Sequence, residues 1–436
     1  MSTRQRKSPT RWTRISRRNA YRLFLRSKPP LARGFKTHRL KGGLGPSRDN
    51  IKYFSQRFFM NVLKCIFAAG ALALCACSSS DVGGGASGAG GSDTKASGAV
   101  IDASRMGVVL PLGGKGAECA AGAEILSGMQ IAVSQINAAG GVGGKPLRLE
   151  IRDSAQEEFA FSETLANMSD SGIKLFHVGL DDAIVAQYKV FGRLSDCFFN
   201  LMTTYPPATT GTDNATRIFV NGAQEGDMLT EQIEVVDRKQ CYVVMNEDTL
   251  CGRSNSAYFC FNLNKGTAKA YADAFKRGEK NFGIFSGQII RLKPRFIFYI
   301  GSGAELSDFA GSVRDSGYDG VLLATCGLLT KDAVKPVPGL RFGKLRTAYE
   351  CGKVANETSK KFAAAYEKKF GVRPSWLAAY GYDAIMLAAR AASEPGATSG
   401  SMRKFFSNKT YEGAMGKLKF DSSADLLSEL EIVELK

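Results

Sequence analysis

The sequence predicts an α/β protein built on doubly wound parallel sheets, and three observations carry that expectation. From residue 106 onward, short apolar runs alternate with segments of helical periodicity, the order that a parallel sheet with crossover helices requires. Glycine pairs and prolines punctuate the joins between them, where strand–helix connections fall. The stretch from residue 99 to 436 is long enough for two separate cores, so two lobes are expected.

The elements follow in order. MGVVLPL, residues 106–112, is a buried-type strand that stops at Gly113-Gly114. Residues 123–138 place Ile125, Met129, Ala132, Val133 and Ile136 at helical spacing and end at Gly140-Gly141. LRLEIRD, 147–153, alternates as a strand does. A helix at 162–171, a strand at 174–178, a helix at 183–194 and a strand at 198–202 continue the series. A second set starts with a helix near Gln224, then a strand at 241–245, a helix around 265–276 and the strand FIFYI at 296–300. The amphipathic segment 377–392 adds a further helix.

Charge is concentrated at the N-terminus. The chain holds 58 Lys+Arg and 41 Asp+Glu, a net +17 that by itself suggests nucleic acid. Residues 1–59, however, carry 17 Lys+Arg against the single acid Asp49, a net +16, and Lys64 supplies the last unit. After residue 77 there are 40 basic and 40 acidic residues, so no nucleic-acid partner is expected for that part. The leader 1–59 reads first as a start assigned too far upstream. A basic disordered arm and a long signal n-region are the other two readings.

Residues 60–77, MNVLKCIFAAGALALCAC, join one early cation, Lys64, to an apolar run too short to span a bilayer, which is a secretory pattern. A Ser/Gly-rich tether, 78–99, follows. With Leu74-Cys75-Ala76-Cys77 at its end, the segment resembles a bacterial lipoprotein signal peptide. The resemblance implies that Cys77 is lipidated as the first residue of a mature chain anchored to a membrane of the cell envelope, on its periplasmic face. Seven of the ten cysteines lie beyond the signal, an odd number, and Cys251 and Cys260, flanking Gly-Arg-Ser-Asn-Ser, are the candidate local disulfide.

The run MGVVLPLGGKGAECAAGAEILSGMQIAVSQINAAGGVGGKPLRLEIRDS, 106–154, resembles the opening of the type I periplasmic solute-binding proteins. It is most similar to the branched-chain amino-acid (leucine/isoleucine/valine) group of ABC importers. Leu-Pro-Leu-Gly after a strand, Gly128 read as a helix start, Ile136-Asn137-Ala-Ala-Gly-Gly141, Gly144-Lys-Pro-Leu and a strand closing on Arg152-Asp153 carry the likeness. It continues through Arg277-Gly-Glu-Lys-Asn-Phe282, Ala379-Tyr-Gly-Tyr-Asp-Ala384 and Gly416-Lys-Leu-Lys-Phe-Asp421. The resemblance implies two lobes joined by a three-crossing hinge that close on a solute. By that analogy lobe 1 is 101–220 with 303–411, and lobe 2 is 221–302 with 412–436.

The family likeness also implies a site. A buried ammonium needs a fixed anion and a buried carboxylate needs hydroxyl or backbone donors. The family's anion position falls on Glu279, and its hydroxyl loop on Met202, Thr203 and Thr204, with Thr204 favoured. The second hydroxyl loop of the family falls on Gly179-Leu-Asp181-Asp182-Ala183, where two carboxylates replace hydroxyls. An aromatic position falls on Cys251. These departures favour a cationic or hydroxylated solute over a plain amino acid, because two desolvated carboxylates repel a third.

Catalysis has little material. His177, at the end of an apolar strand, is the single histidine after the signal and reads as a core residue. Gly113-Gly-Lys-Gly116 lacks the Walker spacing and reads as a turn. No cofactor, metal or enzyme activity is expected. The leading function is a lipid-tethered receptor that hands a small polar solute to an ABC permease. The rival is an envelope interaction lipoprotein of the same fold without a ligand, such as an activator of cell-wall synthases.

Overall fold

The computed structural model describes residues 99–156, 158–180, 184, 189–231, 233, 241–263, 270–301, 303–325, 340–345 and 356–435. The leader, the signal with Cys77, the tether, and Asp181, Asp182 and Ala183 lie outside the described residues.

Five parallel strands form the first sheet: β1 (Arg105–Leu110), β2 (Arg148–Asp153), β3 (Leu175–Gly179), β4 (Phe198–Met202) and β5 (Ala215–Arg217), in the order β2-β1-β3-β4-β5. Helices α1 (Ala117–Ala138), α2 (Phe161–Asp170) and the short α3 (Val190–Arg193) connect them. After α4 (Gly222–Glu231) comes the second sheet, with β6 (Tyr242–Glu247), α5 (Leu250–Leu263), β7 (Ala270–Phe275), α6 (Gly283–Leu292), β8 (Phe296–Ile300), α7 (Gly303–Asp315), β9 (Val321–Ala324) and β10 (Leu340–Leu345). The chain then forms α8 (Glu357–Phe370), α9 (Trp376–Ala392), α10 (Ser399–Phe406) and a small antiparallel sheet of β11 (Thr410–Gly413), β12 (Gly416–Phe420) and β13 (Leu426–Leu427). Its last strand, β14 (Leu430–Leu435), lies antiparallel to β10 and completes the order β14-β10-β9-β8-β6-β7.

Strand alternation builds a core on each face of both sheets. Met106, Val108, Leu110, Leu175 and Phe198 meet α1 and α9, whereas Val109, Phe176, Val178, Phe199 and Leu201 meet α2 and α3. In the second sheet Val243, Met245, Ile297 and Tyr299 pack on Ile289, Leu306 and Phe309. Tyr242, Val244, Phe296 and Phe298 pack on Leu229 and Phe259.

Several motif residues turn out to be packing devices. A Cβ on Gly128 would lie 1.7 Å from the Ala378 carbonyl oxygen, and one on Gly381 would lie 2.0 Å from that of Ile125, so α1 and α9 touch backbone to backbone there. Gly128 is therefore mid-helix rather than a helix start; α1 begins at Ala117, where the alanine-rich first turns carry too few large apolar residues to show periodicity. Asn137 accepts from the Leu147 N–H at 2.7 Å and donates to the Leu147 carbonyl at 3.0 Å, closing the Gly-Gly turn into β2. Asp383 accepts from the Ala414 and Met415 N–H groups at 2.6 and 2.9 Å, pinning the β11–β12 hairpin to α9.

Three expectations change. The segment around 265–276 contains β7 rather than a helix: its alanines favour helix, but pairing of Ala270 to Phe275 with Tyr242 to Glu247 of β6 overrides propensity. Cys251 and Cys260 are both free and share α5. Nine residues of helix separate their Cα atoms by roughly 13 Å along the axis, beyond disulfide reach. The sheets also divide the chain differently from 101–220 with 303–411 and 221–302 with 412–436. β9 pairs with β8 and β10 with β9, so both strands stay with the second sheet, and Ala414, Leu418, Phe420 and Leu426 enter the first core. Strand β8, helix α7 and strand β9 form one βαβ unit, and such units keep consecutive strands adjacent.

Candidate functional site

In open α/β sheets the ligand crevice lies beyond the strand C-termini where strand order reverses. In the first sheet that point is β1, flanked by β2 and β3; in the second it is β6, flanked by β8 and β7. The loop leaving β4, the strand beside β3, meets the loop leaving β6. Thr204, just beyond β4, has its hydroxyl 3.3 Å from the Cys251 thiol, at the start of α5. Asn255, one turn further along α5, points its amide Nδ2 at the same hydroxyl at 3.4 Å and at the Cys251 sulfur at 3.5 Å. All three are buried.

Local sequence explains this approach. Thr249 accepts from the Gly252 N–H at 3.0 Å, which caps the first turn of α5. Gly252 lets that turn lie against the end of β6, since a Cβ there would come 2.2 Å from the Glu247 carbonyl oxygen. On the other side, the Gly222 N–H donates to the Thr204 carbonyl at 2.9 Å, tying the loop to the start of α4.

A charged group borders the cluster. Glu247, at the end of β6 and buried, accepts from Arg277 Nε at 2.5 Å. Arg277 Nη2 lies 3.5 Å from Glu118 in the first turn of α1. Burial, with Asp153 and Glu118 close by, pushes the Cys119 thiol upward. Burial, then the charges of Glu305 and Glu247, raise the Tyr299 hydroxyl well above its ordinary range.

The expected site residues separate. Thr204 and Cys251 come together; Thr203 is buried beside them and accepts from the Tyr205 N–H at 3.1 Å. Met202 faces the first core. Glu279 spends its carboxylate on its own loop, accepting from the Lys280 and Asn281 N–H groups at 3.0 and 2.9 Å. The buried acid at the strand ends is Glu247. Sequence reading missed Glu118, Glu247, Asn255 and Arg277; a polar Asn-Glu-Asp ending the apolar strand 241–245 was the one signal available.

The arrangement offers hydroxyl, thiol, amide and carboxylate groups between two sheets. His177 lies away from it, fully buried in the first sheet. No group of three or more His, Cys, Asp or Glu suited to a metal occurs among the described residues. No helix among them is long and apolar enough to cross a membrane.

The sequence profile of the periplasmic binding protein family matches residues 104–428. The chain belongs to this family. It is a type I periplasmic binding protein, from a family of binding proteins rather than enzymes. A Leu/Ile/Val-binding protein homolog of Brucella melitensis is 26% identical over 228 residues, covering 51% of this chain and 61% of that protein. An amino acid binding protein of Pseudomonas aeruginosa is 24% identical over 326 residues, 71% of this chain and 84% of that protein. Among solved structures, a leucine binding protein from Thermotoga maritima aligns with a TM-score of 0.64 at 21% identity, covering 76% of this chain and 95% of that one. A solute binding protein from Rhodopseudomonas palustris in complex with 3,4-dihydroxybenzoic acid aligns at 0.61 and 18% identity, covering 76% and 92%. At such identities the likeness is one of fold, and the fold holds chemically different solutes.

Proposed function

We propose that this periplasmic binding protein is the extracytoplasmic receptor of an ABC importer, taking an amino acid or similar small polar solute between two lobes and delivering it to a membrane permease. The observation that carries the reading is the meeting of Thr204 with Cys251 and Asn255 beyond the strand ends of two sheets. The Leu/Ile/Val-binding and amino acid binding relatives support an amino-acid-like solute. In this reading one lobe is 99–217 with 356–428 and the other is 222–345 with 430–435, each centred on its own sheet. Asp181, Asp182 and Ala183, which follow β3 in the sequence, are candidate ligand-binding residues in this reading. A lipid on Cys77 tethers the protein to an envelope membrane.

Thermal unfolding of the full chain against a panel of amino acids, amides and polyamines tests the reading. A solute at 100 times its Kd stabilises by about 2.7 kcal/mol, a readily measured rise in Tm. Thr204→Val, which removes one hydroxyl, weakens binding of the active solute roughly ten-fold. A panel without any shift favours the ligand-free interaction protein instead. For the tether, Cys77→Ala moves the protein from the membrane fraction to the soluble one; a variant that stays on the membrane contradicts lipidation of that residue.

A further inference from the structure

The Glu118–Arg277–Glu247 group joins the two halves, and its outer members belong to different halves. Glu118 is on α1, which packs in the first core, and Glu247 closes β6 of the second sheet. Arg277 stands in the loop between β7 and α6, and that loop is fixed to the second half: the Gly278 N–H donates to buried Glu305 at 2.7 Å, and Glu279 caps Lys280 and Asn281.

The two contacts of Arg277 differ in kind. The Glu247 side chain is 7% exposed, and a carboxylate that deep needs its cation, so this 2.5 Å contact stays with the second half. The other contact spans 3.5 Å to Glu118, whose side chain is 16% exposed while that of Arg277 is 46% exposed, so water and salt reach it. A guanidinium has donors in a fork that serves two carboxylates at once.

We propose that Arg277 is a clasp between the two halves, holding them together through Glu118 until salt or an entering solute breaks that contact. This rests on the two-lobe reading above but not on the identity, or the existence, of a solute. The test is therefore made without one. Single-molecule energy transfer is recorded on the full chain in detergent, with dyes on unnatural amino acids at exposed Lys368 of α8 and Ser316 after α7. At low salt, Glu118→Gln and Arg277→Gln each lower the closed-to-open ratio about two- to five-fold, the range open to a partly exposed pair. The double variant opens no further than either single one, and 1 M salt, with a Debye length of about 3 Å, brings the wild type to the same ratio. Equal distance distributions for wild type and Glu118→Gln at low salt overturn the proposal. A failed solute panel leaves this readout unaffected, so the two ideas fail separately.

Discussion

His177 sits in the middle of β3, in register with Asn200 of β4, and both its ring nitrogens and the Asn200 Oδ1 meet no hydrogen-bond partner. Burial lowers its pKa to about 3. The unfolded chain, with an ordinary histidine, binds the proton first, so stability from this residue is complete above about pH 6.5 and falls as pH drops toward 3. Asp383 runs the other way. Burial raises its pKa to about 7, against the pull of its two backbone donors, so the folded state keeps a proton that the unfolded state has lost. Its contribution is complete below about pH 4 and is lost as pH rises through 7. Between about pH 4 and 6.5 the two slopes oppose, each as steep as roughly ten-fold in the folding equilibrium per pH unit. His177→Leu is therefore expected to gain stability on acidification across that window, and Asp383→Asn to lose it, each relative to the wild type. Urea midpoints measured at half-unit steps decide the matter; three parallel profiles would remove the assignment.

Helices α1 and α9 depend on two glycines, which permits a sharper comparison. Gly128→Ala drives a methyl group into the Ala378 carbonyl, which is backbone and can yield only if the helices part, so a loss of about 1–3 kcal/mol or more is expected. Gly287 in α6 has open space where its Cβ would be, and Gly287→Ala is expected to stabilise by up to about 1 kcal/mol through helix propensity. Thermal denaturation of both variants checks the pair, and an equal effect of the same sign contradicts close helix contact. At this scale the sequence was informative where side chains repeat. Ile125, Met129 and Ala132 are buried in α1 as their spacing required, and the strands 198–202 and 296–300 occupy the expected residues. It misled where pairing outweighs local preference: β7 is an alanine-rich edge strand, and the Gly-Arg-Ser-Asn-Ser run between Cys251 and Cys260 is helix. The site divides in the same way. Thr204 and Cys251 were accessible through family likeness, whereas Arg277 with Glu118 and Asn255 with Thr204 are contacts between distant segments that no local pattern announces.

For the molecule as a whole, the passages between the two sheets matter most. The chain leaves the first sheet after β5, returns between β10 and α8, and crosses again from β13 to β14. Beside two of these passages, Arg217 at the end of β5 pairs with Asp425 just before β13, with side chains 0% and 5% exposed and 3.6 Å between Nε and Oδ1. Thr209 donates to Asp425 Oδ1 at 2.8 Å and Asn221, on the first passage, to its Oδ2 at 3.4 Å. Arg217 also donates from Nη2 to the Pro206 carbonyl at 2.9 Å, two residues beyond Thr204, so the pair supports the loop that carries the candidate site. Its removal is expected to act on folding first. Arg217→Met strands a buried carboxylate and Asp425→Asn a buried guanidinium, each costing about 3–5 kcal/mol. Because neither charge remains in the double variant, its loss should fall short of the summed single losses by about 1–3 kcal/mol. Urea unfolding of the four proteins measures that coupling. Additivity within about 0.5 kcal/mol would mean the two side chains act independently, leaving the Thr209 and Asn221 contacts to Asp425 and the backbone pairing of Arg217 with Asp425 to tie these segments.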